Sequence, residues 1–300
     1  MDSLRQTIIQ QFNHIEEVIG VVFYSAPSPA CSLTSGFQYT ALVITETLVH
    51  PNTLHYYIKE GYRLQEQWLT IAELEEKLLH NENNWGTLVV EGELLLDRNG
   101  ELLRLKLKLS RLPEEWKEQL LLNEFSQFFE LYLCGRDKYQ AEQYMDAYSW
   151  IVKTLHRWAR IVIIEHGHYP AFSVWEQVKK INTGVYKLYE ELILSTESIK
   201  LRVQLVMLAC EFAVMSKMES CCKLLLDLLA DKREQWTISK LVSHPLIGNH
   251  KVDVGLLLNA LVKKSLVNEH SVHPKAPPVE GGTALADEEA VYFMRTTYSQ

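Results

Sequence analysis

The chain has 300 residues, of which 47% are apolar and 23% are charged, and its formal net charge is −8. These proportions are typical of a globular protein with room for two or three cores, and they exclude a disordered or fibrous chain. The acidic balance disfavours general nucleic-acid binding, and no apolar run approaches the roughly 18 residues of a membrane-spanning helix.

The cysteines and the N-terminal residues bear on the cellular compartment. The five cysteines are odd in number, and none has the spacing of a zinc-ligand pair. The segment from Met1 to Gln6 lacks the basic and apolar regions of a signal peptide. We therefore expect free thiols, no metal site, no membrane partner and a cytoplasmic location.

The first third of the chain alternates between helical and strand patterns. Apolar residues from Leu4 to Ile19 recur at helical spacing, and Gly20 is expected to end that helix. Thr70 and Glu73 have the spacing of a capping box and predict the start of a later helix. The predicted strands are 21–24, 37–45, 53–59 and 62–68, the last two forming a hairpin. This order predicts an α+β domain over residues 1–112, in which a mixed sheet packs with helices.

From Pro113 onward the apolar residues recur at helical spacing almost throughout. Pro113 followed by two glutamates is typical of a helix start. The next helix is expected to end at Gly167 and Pro170. Its expected apolar face consists of Ala141, Met145, Tyr148, Val152, Leu155, Ala159 and Val162. Further helices are predicted at 172–181, 185–194, 199–215 and 220–229. The pattern predicts a central helical bundle over residues 113–235.

The last segment, residues 236–300, has the layout of a winged helix-turn-helix domain. Its predicted elements are helices at 237–242 and 252–264, strands at 266–272 and 290–298, and a Pro/Gly loop at 276–286. The longer helix is apolar and carries only two basic residues, Lys263 and Lys264. A DNA-reading helix needs several cations facing phosphates, so packing against the bundle or a second chain is favoured over DNA binding.

Two short motifs in the first third resemble those of nucleotidyltransferases. In that superfold a small-residue pair ends the first strand, and an Asp-x-Asp or Asp-x-Glu pair follows in the next strand. Here Ser25 and Ala26 follow the first predicted strand, and eleven residues separate Ala26 from Gln38 in the segment Gln38-Tyr39-Thr40. The stretch 92–97 is similar to a Gly-x-x-Leu-Tyr-Asp motif, with Leu96 in place of tyrosine.

Longer stretches in the helical region carry a broader resemblance. Segments 144–148, 155–160, 174–179 and 185–189 look like the helical substrate-binding part of the nucleotidyltransferase-like proteins of bacilli and related Gram-positive bacteria. Together with the N-terminal motifs, the similarity runs through most of residues 1–270. It implies a nucleotidyltransferase domain, a helical substrate-binding-like domain and a winged-helix-like domain, in that order.

The resemblance places Gln38 and Thr40 where an active member carries metal-binding acids. Transfer of a nucleotide from a nucleoside triphosphate uses Mg²⁺, which prefers carboxylate oxygens, and an amide and a hydroxyl supply no negative charge. We therefore expect the usual metal site to be absent or weakened, with Ser25, Gln38 and Thr40 as candidate nucleotide-binding residues. The alternatives are that these residues are only structural, or that Glu60 and Glu66 serve a rearranged active site with Mg²⁺.

A basic stripe is predicted on the helix that spans 141–162. Lys153, His156, Arg157 and Arg160 are spaced by three and four residues and share one side of it. Such a stripe could bind phosphates or a substrate; the alternative is a solvated helix face, with nearby acids neutralising part of it.

These observations predict a nucleotidyltransferase-like protein that acts as a nucleotide-binding, partner-binding or regulatory module. Its expected partner is a nucleotide or another small molecule, and self-association is a further expectation. No residue is assigned a catalytic role, and whether the chain is an enzyme stays open. The alternatives are an active transferase with a rearranged site and a winged-helix transcriptional regulator.

Overall fold

The computed structural model describes residues 2–26, 37–47, 54–59, 61–80, 85–171, 173–231, 233–248, 252–272 and 289–294. The chain forms two compact units. The sheet unit comprises Met1–Trp116 and Ile163–Gln177, and the helical unit comprises Lys117–Val162 and Val178–Gln300. The predicted domain boundaries after residues 112 and 235 stay predictions.

A five-stranded sheet lies at the centre of the sheet unit. Its strands are β1 (Val18–Ser25), β2 (Tyr39–Thr45), β3 (Leu54–Lys59), β4 (Tyr62–Thr70) and β5 (Glu93–Asp97). Their order is β3-β4-β2-β1-β5, with β2 and β4 parallel and all other neighbours antiparallel. The predicted hairpin is confirmed as β3 and β4. Strands β1 and β2 are buried along almost their whole length, because helices cover both faces of the sheet.

Four helices accompany the sheet: α1 (Asp2–Asn13), α2 (Ile71–Leu79), α3 (Trp85–Glu91) and α4 (Glu101–Ser110). Helix α1 packs Leu4, Ile8 and Phe12 into a core with alternate residues of the strands, and this defines the α1 face of the sheet. Helices α3 and α4 contact the sheet unit's strands as well. The capping box at α2 is confirmed, since Glu73 N donates to Thr70 Oγ1 at 3.2 Å and Thr70 N donates to Glu73 Oε2 at 2.8 Å.

The prediction of a first helix reaching Ile19 and ending at Gly20 is wrong. Helix α1 ends at Asn13, and Gly20 lies inside β1. The apolar residues of this stretch suit a strand buried on both sides, which periodicity alone does not distinguish from a helix. Gly20 serves close packing, because a Cβ there would lie 2.3 Å from Leu102 Cδ1 of α4.

The remaining elements are mainly helical. They are α5 (Glu114–Gln140), α6 (Tyr144–Glu165), α7 (Val174–Ile181), α8 (Thr183–Leu194), α9 (Ile199–Cys221), α10 (Lys223–Leu229), α11 (Ile238–Val242), α12 (Val254–Lys263), β6 (Val267–Val272) and β7 (Glu289–Met294). The helices predicted at 172–181, 185–194, 237–242 and 252–264 are confirmed with ends shifted by at most two residues. The helix predicted at 199–215 continues to Cys221, and the one predicted at 220–229 begins at Lys223. The predicted apolar face of α6 is partly wrong, because Ala141 lies before the helix and Met145 is exposed.

The C-terminal elements have the predicted winged helix-turn-helix-like layout. Helices α11 and α12 are followed by the antiparallel pair β6–β7, and Tyr292 N donates to the Trp236 carbonyl at 2.9 Å. Asp253, the N-cap of α12, donates its backbone N–H to Ser126 Oγ of α5 at 2.9 Å. The predicted loop at 276–286 lies outside the described residues. The α+β class, with a mixed sheet, a helical middle and a winged-helix-like end, is therefore confirmed.

Among the described residues, no helix is both long and apolar enough to cross a membrane. Four cysteines, Cys134, Cys210, Cys221 and Cys222, are free thiols. The cytoplasmic location stays a prediction.

Candidate functional site

The candidate nucleotide-binding residues lie where β1 ends and β2 begins. Ser25 pairs with Tyr39, Tyr24 pairs with Thr40, and Ala26 N donates to the Gln38 carbonyl at 3.0 Å. The antiparallel pairing of the two strands thus brings the two halves of the motif together. The motif spacing implied that Ser25 lies close to Gln38 and Thr40, and the strand pairing shows that it does.

The side chains at this strand end do not all share one face of the sheet. Successive side chains on a strand point to opposite faces. Ser25 therefore shares a face with its pair Tyr39, which packs in the α1 core, while Thr40 projects to the other face. Thr40 is buried, Gln38 is half-buried just before β2, and Ser25 is exposed. Nucleotide binding by these residues stays a prediction.

Gln65 of β4 joins Thr40 on that second face. The parallel register of β2 and β4 pairs Thr40 with Gln65. Gln65 is 7% exposed, and its Oε1 atom has no hydrogen-bond partner among the residues that the structure describes. Sequence reasoning missed this residue. The available signal was a polar side chain between apolar positions of a strand, and only the register shows that it lies beside Thr40.

The described strands β1, β2 and β4 carry no carboxylate on the face of Thr40. The sequence from Val18 to Thr45 contains neither Asp nor Glu. The nearest acid in the sheet, Glu66, pairs with Ala41 and so lies on the α1 face, opposite to Thr40. Glu66 is 5% exposed and accepts hydrogen bonds from the Tyr57 hydroxyl and, at 3.4 Å, from Gln11 Nε2. Glu60 lies outside the described residues.

The described residues beside Thr40 do not supply the ligands that a pair of Mg²⁺ ions needs. The ion prefers anionic oxygen ligands, whereas the face beside Thr40 presents a hydroxyl and an amide. The Glu66 carboxylate accepts hydrogen bonds from two neutral donors on the other side of the sheet. Burial, and then the Glu66 carboxylate, raise the pKa of Tyr57, so its hydroxyl remains a donor to Glu66 at neutral pH. Across the described part of the chain, no three His, Cys, Asp or Glu side chains form a cluster that could hold a metal ion.

The basic stripe on α6 is organised around an acid from α5. Arg160 Nε donates to Glu124 Oε1 at 2.8 Å, and Arg157 Nη1 donates to Glu124 Oε2 at 3.1 Å. Glu124 is completely buried and Arg160 nearly so. Burial alone would raise the pKa of Glu124, but the two guanidinium groups outweigh it and lower the pKa below its usual range. The acid was missed from the sequence because it lies within an apolar stretch of α5.

The four stripe residues therefore differ in charge and exposure. Burial, followed by the adjacent guanidinium groups, lowers the pKa of His156 to about 4, so its imidazole is neutral at pH 7. Lys153 is exposed, with its ammonium 4.6 Å from the centre of the Trp150 ring. Arg157, Arg160 and Glu124 together carry one net positive charge, and Arg160 Nη2 is buried with no hydrogen-bond partner among the described residues. Phosphate or substrate binding by the stripe stays a prediction.

The helix in the DNA-reading position is largely apolar. Leu257, Leu258 and Leu261 of α12 are buried, and the Lys264 ammonium donates to the Met215 carbonyl of α9. Lys263 is exposed. One of the two basic residues is thus engaged within the helical unit.

This chain is similar to family models and to known proteins along most of its length. Family models match residues 1–117 as nucleotidyltransferase-like, 118–217 as a YgxA-like substrate binding domain, and 223–280 as a helix-turn-helix domain. The uncharacterized protein YgxA of Bacillus subtilis strain 168 is 29% identical over 283 residues, 93% of this chain and 95% of that protein. The crystal structure of a nucleotidyltransferase-like protein from Exiguobacterium sibiricum 255-15 shares 28% identity and a TM-score of 0.77, covering 99% of this chain and 100% of that one.

Proposed function

Since the chain belongs to the three-domain nucleotidyltransferase-like family of bacilli and related Gram-positive bacteria, we propose that its first domain binds a nucleotide without transferring it. The chain then acts as a nucleotide-sensing or partner-binding module. The observation that carries this proposal is the neutral pair of Thr40 and Gln65 on the sheet face where a transferase needs carboxylates.

The chemistry of that pair suits recognition better than catalysis. Nucleotidyl transfer needs metal ions to neutralise charge on the reacting phosphoryl group, and anionic protein ligands hold those ions. A hydroxyl and an amide hydrogen-bond to neutral groups, such as the amino group of a base or a ribose hydroxyl. The unpartnered Gln65 Oε1 atom is an acceptor for such a donor, and a ligand that supplied it would remove an unfavourable buried group.

We propose that the helical unit binds an anionic group at a separate site of its own. Arg157 and Arg160 are held in place by Glu124, and the triad keeps one positive charge in excess. The Arg160 Nη2 atom is a buried donor suited to an anionic oxygen. We therefore assign the binding of an anionic small molecule within the helical unit to this triad, rather than to the exposed Lys153.

Calorimetry of the full chain with ATP, CTP, GTP and UTP tests the proposal, each titration being run with Mg²⁺ and with EDTA. We expect one nucleotide to bind in EDTA, with an affinity that Mg²⁺ changes by less than about threefold. Replacing Gln65 with Leu or Thr40 with Val should weaken binding about tenfold, the value of one hydrogen bond to a buried group.

Thr45→Val is the matched control, because Thr45 is also buried on β2 but lies at its other end. The affinity of Thr45→Val for the nucleotide should equal that of the wild type. The proposal fails if no nucleotide binds, if Thr45→Val weakens binding as much as Thr40→Val, or if Mg²⁺-dependent turnover of a nucleotide is measured.

DNA binding is a second candidate function, favoured by the helix-turn-helix match over residues 223–280. The apolar character of α12 and the engagement of Lys264 make it the weaker candidate. Fluorescence anisotropy with a mixed-sequence duplex at low salt tests it. Binding that weakens steeply with salt and is lost in Lys263→Glu would support DNA recognition, and no binding at about 20 mM salt would remove it.

A further inference from the structure

Helix α9 of the helical unit carries a continuous stripe of exposed apolar side chains. Leu201, Leu205, Leu208, Phe212 and Met215 are 51%, 47%, 59%, 74% and 57% exposed. We call these five residues the α9 stripe. Exposed apolar residues scattered singly are ordinary on a protein surface, whereas a contiguous row of large ones marks an interaction site.

The opposite side of α9 already packs in the core of its own unit. Val203, Val206, Cys210 and Ala213 are buried. A helix that is apolar on both sides is typical of a helix that is covered on both sides. The bundle accounts for one side of α9 and leaves the α9 stripe at the surface.

The spacing of the α9 stripe is that of a helix-pairing seam. Its residues are separated by four, three, four and three positions, the repeat that keeps apolar residues along one line between two packed helices. A ligand cavity or a lipid surface does not require this strict repeat. The spacing therefore points to another α-helix as the occupant.

A second copy of α9, running antiparallel, meets this requirement. In that arrangement Leu201 packs against Phe212 of the second copy and Leu205 packs against Leu208, and the two-fold axis repeats both pairs. The same surface serves both chains, as the symmetry of a dimer demands. Glu211, the charged residue exposed between Leu208 and Phe212, is then beside Gln204 of the second copy, whose amide can donate to it.

The size of the stripe is sufficient for a dimer. Its fifteen residues from Leu201 to Met215 extend over about 21 Å on a helix about 10 Å wide. Exposed Ile193 and Leu194 extend it, because Arg202 donates to the carbonyls of Leu192, at 2.8 Å, and Ile193 and so holds the end of α8 beside the start of α9. Two copies would bury on the order of 1,000 Å², which is about the lower limit for a specific interface.

We propose that the chain forms a two-fold homodimer in which the α9 stripes of two copies pack against each other. Sedimentation velocity of the full chain between about 1 and 100 μM tests this. We expect a dimer, and Leu208→Glu should raise the dimer dissociation constant at least about 100-fold, since two carboxylates would be buried beside the two-fold axis.

Leu107→Glu is the matched control, because Leu107 is also a 61% exposed helical leucine but lies on α4. It should leave the dimer unchanged, and circular dichroism should show that both variants are folded. Mixing Leu208→Glu with Leu208→Lys chains should restore a dimer that neither forms alone, because opposite charges then meet near the axis.

Several results would overturn the proposal. One is a wild-type chain that stays monomeric at 100 μM, whether another segment of the chain or a different protein covers the stripe. Another is a dimer that persists unchanged in Leu208→Glu. A third is a mixture of the Glu and Lys variants that stays monomeric.

Discussion

The buried carboxylates of the two units have different hydrogen-bond partners. In the sheet unit, Glu66 accepts hydrogen bonds from two neutral donors, Tyr57 and Gln11. In the helical unit, Glu124 is bound by two cations, Arg157 and Arg160. Burial of an acid is therefore not by itself a sign of catalysis. Glu66 lies on the wrong face of the sheet for the transferase motif, and Glu124 positions two arginines.

Removal of Arg160 should give the largest effect. Arg160→Met leaves Glu124 buried with half of its charge compensation, which typically costs about 3–5 kcal/mol of unfolding free energy. Urea unfolding of the full chain, followed by circular dichroism of the helices, measures it. Arg233→Met is the control, because the Arg233–Asp231 pair is exposed and should contribute less than about 1 kcal/mol. Equal losses of unfolding free energy in the two variants would show that the buried triad contributes no more to stability than the exposed Arg233–Asp231 pair.

The pH dependence of the helical unit should follow from His156, which lies beside the arginines of the triad. The pKa of His156 is lowered to about 4 in the fold, so the unfolded chain binds a proton more readily between that value and about 6.5. The contribution of neutral His156 to stability is therefore complete above about pH 6.5 and is lost as the pH falls toward 4. The lowered pKa of Glu124 adds a further loss in more acidic solution.

Unfolding by urea at pH 6.5 and pH 4.5 measures this effect. The wild type should lose about 2 kcal/mol that His156→Gln does not lose. His14→Gln replaces an exposed histidine and should lose as much as the wild type. A pH profile of His156→Gln that matches the wild type would contradict the assignment to His156.

The smallest expected effect concerns the sheet unit. Tyr57→Phe removes the hydroxyl that donates to Glu66 and should cost about 1–2 kcal/mol, because the carboxylate keeps Gln11 as a second donor. Tyr56→Phe is the matched control, since the neighbouring Tyr56 is 52% exposed. Its unfolding midpoint should stay within error of the wild type. If Tyr57→Phe lost more unfolding free energy than Arg160→Met, Glu66 and not Glu124 would be the carboxylate that depends more on its partners.

Local patterns predicted most of the elements. The spacing of apolar residues located the helices of the bundle, and the pairing of Thr70 with Glu73 marked the start of α2. The main failure was the stretch before Gly20, where a strand buried on both faces has no alternation to distinguish it from a helix. Residues 85–110, which form α3, β5 and α4, were not assigned to helices or strands, and only the stretch 92–97 was noted, for its likeness to a motif.

The candidate sites were predicted less completely, because their partners come from elsewhere in the chain. The motif spacing placed Gln38 and Thr40 beside Ser25, but the strand register decides that Thr40 shares a face with Gln65 and that Glu66 does not. The stripe from Lys153 to Arg160 follows from helix geometry. Its charge does not, because Glu124 joins it across 36 residues of sequence.

The sequence by itself determined the absence of acids between Val18 and Thr45, the positions of most helices of the bundle, and the repeat of the α9 stripe. Those properties depend on residue identity and on spacing within single elements. The tertiary structure alone decided which face of the sheet each polar side chain occupies, which acid neutralises the arginines, and which side of α9 is exposed. Each of these depends on strand register or on packing between distant elements, which burial and pairing establish only when the whole unit folds.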